Sequence, residues 1–249
     1  MSRAVVVAGN WKMNHAPAAA AAFFKGLPDL SGARAEVLVF PPTLSFAAAR
    51  EAAPDRIALG VQNVHWEASG AFTGEVSADM AVEAGATHAL VGHSERRHLF
   101  GETDEDVARK TQRILDTGLV PVVCVGETLE ERRAGRVEQV ILGQLDAVLD
   151  AFRSAPEARV RVAYEPVWAI GTGETATPGD AQAAHAALRR HLRAALGTER
   201  ADAVPLLYGG SVKPDNAAEL LAEADVDGLL VGGASLKPTD FARIVEAGG

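Results

Sequence analysis

Short apolar runs recur along the chain, and polar or alanine-rich stretches separate them. Within most runs the odd-numbered and the even-numbered positions are both apolar, as in 120–125. This pattern is typical of parallel strands that are buried on both faces, because a strand with one solvated face alternates apolar and polar residues. Eight strands are predicted, over residues 5–8, 36–40, 57–61, 89–92, 120–125, 160–164, 206–208 and 228–231.

The stretches between the strands carry the start signals of helices. Thr177 followed by Pro178 offers an N-cap and a proline at the first helical position, so 181–196 is predicted to be helical. Proline also follows Lys213 and Lys237, and a helix start is predicted at each of these places. Strands and helices therefore alternate, which is typical of βα units.

The number of units favours a closed barrel. Eight strand–helix units in 249 residues average about 31 residues each, close to a minimal βα repeat, and the total matches an eight-fold barrel. We predict an α/β fold with one eight-stranded parallel (β/α)8 domain over 1–249. A doubly wound open sheet is the alternative, and it is less favoured because residues 9–14, after the first strand, lack the G-x-G-x-x-G pattern.

Composition excludes several classes of partner. The formal net charge of −9 argues against a nucleic-acid groove and against an anionic membrane surface. No uninterrupted apolar run approaches the roughly 18 residues of a membrane span, and the first residues lack the features of a signal peptide. The single cysteine, Cys124, rules out an internal disulfide and agrees with a reducing compartment. We therefore predict a cytoplasmic protein.

Polar residues stand at or just after the carboxyl ends of three predicted strands. In an eight-fold barrel these ends all face one mouth, where active sites form. The residues are Asn10 and Lys12 after the first strand, His93, Ser94, Glu95 and Arg96 after the fourth, and Glu165 after the sixth.

Glu165 is followed by a segment that could cover it. Pro166 ends the sixth strand because proline has no amide hydrogen, and 166–177 then combines apolar side chains with two glycines. One interpretation is a catalytic base beneath a closing loop. The other is a strand-end carboxylate in a surface ion pair beside an ordinary loop.

Paired glycines after the last two strands suggest a phosphate site. Gly209-Gly210-Ser211 follows the seventh strand and Gly232-Gly233 follows the eighth, and barrel enzymes commonly bind phosphate with these two loops. Each pair taken alone is more typical of a simple turn.

Together these residues predict proton-transfer chemistry next to a carbonyl, without a metal or a cofactor motif. Glu165 would abstract the proton, His93 would polarise the carbonyl oxygen, and Lys12 and Asn10 would stabilise the developing negative charge. Each residue also has a structural interpretation: His93 as a core histidine, Lys12 as a surface cation and Asn10 as a turn former.

A long connection between the third and fourth strands is predicted to reach a second subunit. Residues 62–75 exceed a minimal turn, and Trp66 and Phe72 would be uncovered on a lone barrel. The alternative is a loop that folds back onto its own barrel.

Four motifs, in their order and spacing, resemble the triosephosphate isomerase family. They span nearly the whole chain. They are Gly9-Asn10-Trp11-Lys12-Met13-Asn14, Val91-Gly92-His93-Ser94-Glu95-Arg96-Arg97, Ala163-Tyr164-Glu165-Pro166-Val167-Trp168-Ala169-Ile170-Gly171-Thr172-Gly173 and Tyr208-Gly209-Gly210-Ser211-Val212.

The resemblance implies a TIM barrel that interconverts D-glyceraldehyde 3-phosphate and dihydroxyacetone phosphate, a step of glycolysis and gluconeogenesis, through an enediol. It implies that Glu165 and His93 move protons, and that a homodimer forms through the loop around Phe72-Thr73. It also implies a substrate site built from Asn10, Trp11, Lys12, Gly171, Ser211, Gly232 and Gly233.

The sequence departs from the family at Glu174, where a lysine is common, and this bears on the rates at which the loop opens and closes. Two other functions remain as alternatives: another phosphate-binding barrel enzyme, such as a sugar-phosphate epimerase, and a catalytically silent phosphate-binding protein.

Overall fold

Eight parallel strands close into a barrel in a computed structural model that describes residues 3–170 and 176–249. Each strand is hydrogen-bonded to the next along the chain, and the eighth returns to the first. The strands are β1 (Val6–Asn10), β2 (Glu36–Phe40), β3 (Ile57–Val61), β4 (His88–Val91), β5 (Val120–Val125), β6 (Arg161–Tyr164), β7 (Leu206–Tyr208) and β8 (Gly228–Val231).

Helices connect consecutive strands and surround the barrel. In the described ranges they are α1 (Pro17–Lys25), α2 (Phe46–Ala52), α3 (Ala78–Glu83), α4 (Ser94–Phe100), α5 (Asp104–Asp116), α6 (Leu129–Arg133), α7 (Val137–Ser154), α8 (Pro178–Leu196), α9 (Thr198–Asp202), α10 (Ala217–Leu221) and α11 (Pro238–Glu246). None of these helices has the length and apolar content that a bilayer crossing requires.

The register shows how the barrel closes. Val6 of β1 is opposite Glu36 of β2 on one side and Gly228 of β8 on the other. Gly228 is required at this contact, because a Cβ there would stand 2.1 Å from the Val6 carbonyl oxygen. The predicted (β/α)8 architecture is confirmed, and the open doubly wound sheet is not formed.

The strands are buried on both faces, as their apolar content predicts. One face of each strand packs inside the barrel, where Leu38, Leu90, Ala163 and Leu230 belong to one apolar cluster. The other face packs against the helices in a larger cluster. Two interfaces therefore share each strand, which explains why both parities are apolar.

The predicted strand bounds agree with the structure except at a few ends. β1 begins one residue later and extends to Asn10, because the Trp11 N–H still donates to the carbonyl oxygen of Phe40, the last residue of β2. β4 begins at His88, one residue earlier than predicted, because His88 is in register with Val120 of β5. These shifts leave the mouth of the barrel where the sequence places it.

Two of the three predicted helix starts are confirmed, and one is wrong. α8 begins at Pro178 with the Thr177 capping box, and α11 begins at Pro238. After Lys213 the helix starts only at Ala217. The reason is a turn held by Asn216, whose side chain accepts the Lys213 N–H at 2.8 Å and donates to the Ser211 carbonyl at 3.0 Å.

Candidate active site

A cavity of about 340 Å³ opens at the carboxyl ends of the strands. The predicted site residues that lie in the described ranges all line it: Asn10, Trp11, Lys12, His93, Glu165, Ser211, Gly232 and Gly233. Gly171, predicted to bind substrate, and Glu174 lie outside the described residues. Residues up to 223 positions apart in the sequence therefore meet at one mouth, because parallel strands place their carboxyl ends on the same side.

Glu165 is the acidic residue that lines this cavity among the described residues, and its side chain is only 2% exposed. Its backbone N–H donates to the Val125 carbonyl at 2.8 Å, which continues the pairing of β6 with β5 beyond the last strand residue. Its carboxylate accepts the Ser94 N–H at 2.9 Å and lies 2.9 Å from His93 Nε2. The Ser94 N–H and His93 therefore hold the carboxylate, and burial shields it from bulk water.

His93 caps α4 and is oriented by that helix. Its Nδ1 accepts the backbone N–H of Glu95 at 3.3 Å. Because Nδ1 acts as the acceptor, the proton of a neutral imidazole lies on Nε2, which then donates to the Glu165 carboxylate. The imidazole therefore presents an N–H to the cavity without needing a second proton.

The pKa values of this pair move in opposite directions. Burial lowers the pKa of His93, but the Glu165 carboxylate opposes burial and the net shift is upward. Burial raises the pKa of Glu165, and the nearby His93 and the Ser94 N–H outweigh it and lower the pKa. Glu165 is consequently ionised at neutral pH and can act as a base once it leaves the histidine.

Lys12 follows β1 in a backbone conformation that is uncommon for residues other than glycine, with φ of 49°. Its N–H donates to the side-chain oxygen of Asn10 at 3.0 Å, so Asn10 shapes the turn that presents the lysine. Its Nζ lies 2.7 Å from Glu95, which holds the ammonium at the cavity. The cavity is thus lined by a fixed positive charge.

The glycines after β7 are required by close packing around Glu165. A Cβ on Gly209 would stand 3.0 Å from Glu165 Cγ, and one on Gly210 would stand 2.2 Å from Tyr208 Oη. A side chain at Gly210 would force Tyr208 to move, and one at Gly209 would crowd the carboxylate. The same glycines line the cavity, where their backbone is open to a ligand.

The Trp11 side chain has a structural place in this arrangement. Its indole is fully buried, donates to the Ser235 carbonyl at 3.1 Å and packs edge-on against Phe23. The side chain therefore ties the segment after β1 to the segment after β8.

Glu127 is a site-forming residue that the sequence reasoning did not single out. It is fully buried and accepts from Tyr164 Oη at 3.1 Å and from Trp168 Nε1 at 2.9 Å. These two residues flank Glu165 and Pro166, so Glu127 fixes the chain on both sides of the carboxylate. Glu127 stands two residues after β5. The search for polar residues just after the carboxyl ends of strands, which indicates Asn10, His93 and Glu165, could therefore have indicated Glu127 as well.

The loop over 62–75 is partly packed on itself. His65 stacks on Trp66 with ring centroids 4.3 Å apart and lies 4.1 Å from the Phe72 ring. Phe72 nevertheless remains 42% exposed, and Met13, near the mouth, is 95% exposed. These two apolar side chains remain available to another surface.

Comparison with known proteins agrees with this geometry. The family model described as triosephosphate isomerase matches residues 5–248. The chain is 49% identical over 247 residues to the triosephosphate isomerase of Solibacter usitatus, covering 98% of this chain and 99% of that one. It is 53% identical to those of Alkalilimnicola ehrlichii (98% of both chains) and Cupriavidus necator (98% and 100%). The chain belongs to the triosephosphate isomerase family.

Proposed function

We propose that Glu165, His93, Lys12 and Asn10 carry out the aldose–ketose isomerisation of this family, which interconverts D-glyceraldehyde 3-phosphate and dihydroxyacetone phosphate. The observation that carries the proposal is the buried contact of 2.9 Å between Glu165 and His93 Nε2. It brings an ionised base and an N–H donor together in the cavity that Lys12 also lines. These are the groups that proton transfer next to a carbonyl requires.

The reaction moves one proton between two adjacent carbons of the substrate. Glu165 takes a proton from the carbon next to the carbonyl, and the electron pair of that C–H bond forms the enediolate double bond. The His93 Nε2–H donates to the carbonyl oxygen, where the negative charge develops. His93 then moves protons between the two oxygens of the enediolate. Return of the proton from Glu165 to the neighbouring carbon completes the isomerisation without an oxidant or a reductant.

Substrate binding requires the carboxylate of Glu165 to separate from His93. In this structure the carboxylate accepts from His93 Nε2, the same donor that the substrate oxygen needs. The charge of Lys12 favours the developing enediolate and the phosphate, and the backbone of Ser211, Gly232 and Gly233 lines the region proposed for the phosphate. Burial of the reacting atoms limits loss of phosphate from the enediolate to water.

An enzyme assay tests this function directly. The purified protein is incubated with D-glyceraldehyde 3-phosphate, and dihydroxyacetone phosphate is followed by its NADH-coupled reduction. We expect rapid conversion. A folded protein that binds phosphate esters but gives no conversion would contradict the proposal and favour a catalytically silent phosphate-binding protein.

Replacing Lys12 by alanine tests the proposed charge stabilisation. We expect kcat/KM to fall by roughly 10²- to 10³-fold, the usual loss when one preorganised electrostatic group is removed. Steady-state kinetics should show both a lower kcat and a higher KM, because the ammonium acts on the bound phosphate and on the transition state. Lys25→Ala, at the exposed end of α1, is the matched control and should retain the wild-type parameters. Wild-type kinetics in Lys12→Ala would remove this residue from the site.

We also propose that the chain forms a homodimer through the loop around Phe72-Thr73. The support is the exposure of large apolar side chains near the mouth, including Met13, Leu44 and Phe100. Light scattering should give twice the 26.0 kDa of one chain. Phe72→Asp should shift this mass toward the monomer, whereas Leu129→Asp, at a residue that is similarly exposed (40%), should not. A monomeric wild-type protein would refute the dimer.

We also propose a cytoplasmic location. Cys124 is a free thiol and is buried inside the barrel, which suits a reducing compartment. Its pKa is raised well above the usual value, first by burial and then by the nearby Glu165, so it stays a neutral thiol. We assign it to packing beneath the carboxylate.

A further inference from the structure

Arg97 lies behind the turn that carries His93, and none of the roles described so far involves it. It belongs to α4, its side chain is only 9% exposed, and its Nε donates to the Gly92 carbonyl at 2.8 Å. This carbonyl is part of the peptide group that joins Gly92 to His93. The guanidinium therefore holds the backbone at the residue that presents the imidazole.

The other two nitrogens of the guanidinium reach different elements. Nη2 donates to the Cys124 carbonyl on β5 at 3.3 Å, and Nη1 lies 2.6 Å from the Asp104 carboxylate at the start of α5. One planar group thus joins the end of β4 to the end of the neighbouring strand. Lysine cannot make the same three contacts, because an ammonium on a flexible stem lacks the fixed fork of donors.

The backbone that Arg97 holds has an uncommon conformation at Gly92. Gly92 has φ of 69°, in the left-handed region, and its N–H donates to Glu102 at 3.2 Å. A Cβ on Gly92 would stand 2.9 Å from Arg97 Nη2. The guanidinium therefore packs directly on the glycine and fixes the direction in which the chain leaves β4.

We propose that Arg97 is a positioning residue for the isomerisation: through the Gly92 carbonyl it sets the place of His93 relative to Glu165. The proposal rests on the proposed function of that pair. His93 Nε2 lies 2.9 Å from Glu165, and the imidazole is attached to the chain only at the His93 Cα, next to the peptide that Arg97 holds. A small displacement of this peptide moves the donor away from the reacting oxygen.

Steady-state kinetics of Arg97→Met and Arg97→Lys tests the proposal. We expect kcat to fall by roughly 10- to 100-fold in both variants, because a misplaced catalytic group costs about this much. KM should stay within about two-fold of wild type, since the glycines and Lys12 that face the phosphate are not held by Arg97. Arg97→Lys keeps a positive charge beside Asp104, so it separates loss of the fork from loss of the charge.

Arg200→Met is the matched control. Arg200 also donates from its guanidinium to two backbone carbonyls, those of Phe152 and Ala155, but at the opposite end of the barrel. We expect a lower urea midpoint for this variant with kcat unchanged. An equal loss of kcat in Arg200→Met, or a wild-type kcat in Arg97→Lys, would overturn the proposal. If Arg97→Met is insoluble, Arg97→Lys decides the question alone.

A spectroscopic measurement separates this proposal from the proposed function. The ¹⁵N NMR signal of the His93 imidazole, assigned by its loss in His93→Gln, should shift in Arg97→Lys and should not shift in Arg200→Met. If the wild-type protein fails to isomerise triose phosphates, the proposed function fails, and the NMR shift still reports whether Arg97 positions the ring. An unshifted signal in Arg97→Lys refutes the positioning role.

Discussion

Glu165→Gln is expected to lower kcat by roughly 10³-fold while leaving the fold intact. Glutamine has nearly the same shape, and its oxygen can still accept the Ser94 N–H that holds Glu165 at 2.9 Å. It cannot accept a proton from carbon, and removal of a general base costs about 10²- to 10⁴-fold. Steady-state kinetics with D-glyceraldehyde 3-phosphate measures the loss.

Binding measurements show whether this loss concerns the base alone. Calorimetry with sn-glycerol 3-phosphate, which lacks the carbonyl, should give a Kd close to that of the wild type, because Lys12 and the glycine loops are unchanged. Glu130→Gln, at a surface position of α6, is the control for the substitution itself, and the residual rate of Glu165→Gln sets the upper limit for contaminating host enzyme. Turnover of Glu165→Gln at the wild-type rate would mean that another group takes the proton.

Mild acid is expected to destabilise the protein through two buried histidines, His88 and His185. Burial lowers the pKa of His185 to about 4, and burial together with the charges of Arg161 and Arg159 lowers the pKa of His88 to about 3. Both therefore stay neutral in the native state while the unfolded chain protonates them below about pH 6.5. The unfolded state binds more protons, so the free energy of unfolding falls as pH falls from 6.5.

The size of the effect follows from the same pKa values. Between pH 6.5 and pH 5 each histidine lowers the free energy of unfolding by about 1.5 kcal/mol, because the histidine of the unfolded chain is already half protonated at pH 6.5. The raised pKa of His93 acts in the opposite direction, but its contribution is complete once pH falls below the unfolded value of about 6.5. The window from 6.5 to 5 therefore reports mainly on His88 and His185.

Urea unfolding at pH 6.5 and 5.0 measures this fall. His185→Gln should remove about half of it, because glutamine does not titrate; it can still donate to the Asp225 carbonyl, which lies 3.1 Å from His185 Nδ1. His98→Gln, at an exposed position of α4, should leave the fall unchanged. A free energy of unfolding that is equal at the two pH values would show that the buried histidines are protonated in the native state.

The features predicted from the sequence are those that depend on local patterns. Strands such as Val120–Val125 are apolar on both parities, and that alone indicates burial on two faces. Glu165 and His93 were predicted because each stands at the carboxyl end of a strand, and the barrel brings such ends together. The resemblance then supplied their roles.

What the sequence did not predict depends on contacts between distant residues. Glu127 is important because it accepts from both Tyr164 and Trp168, and no pattern near Glu127 reveals these partners. Arg97 is similar, since its contact with the Cys124 carbonyl exists only once β4 and β5 are paired. The late start of α10 likewise depends on one hydrogen-bonded turn around Asn216.

Closure of the barrel between β1 and β8 has a consequence for synthesis of the chain. Gly232 and Gly233, which line the cavity beside Lys12, follow β8, the last strand of the barrel. A chain that is still on the ribosome therefore presents β1 and β7 as open sheet edges, which are prone to pair with other chains. The cavity is complete only after the last strand has left the ribosome, so a truncated product lacking β8 would be both inactive and prone to aggregate.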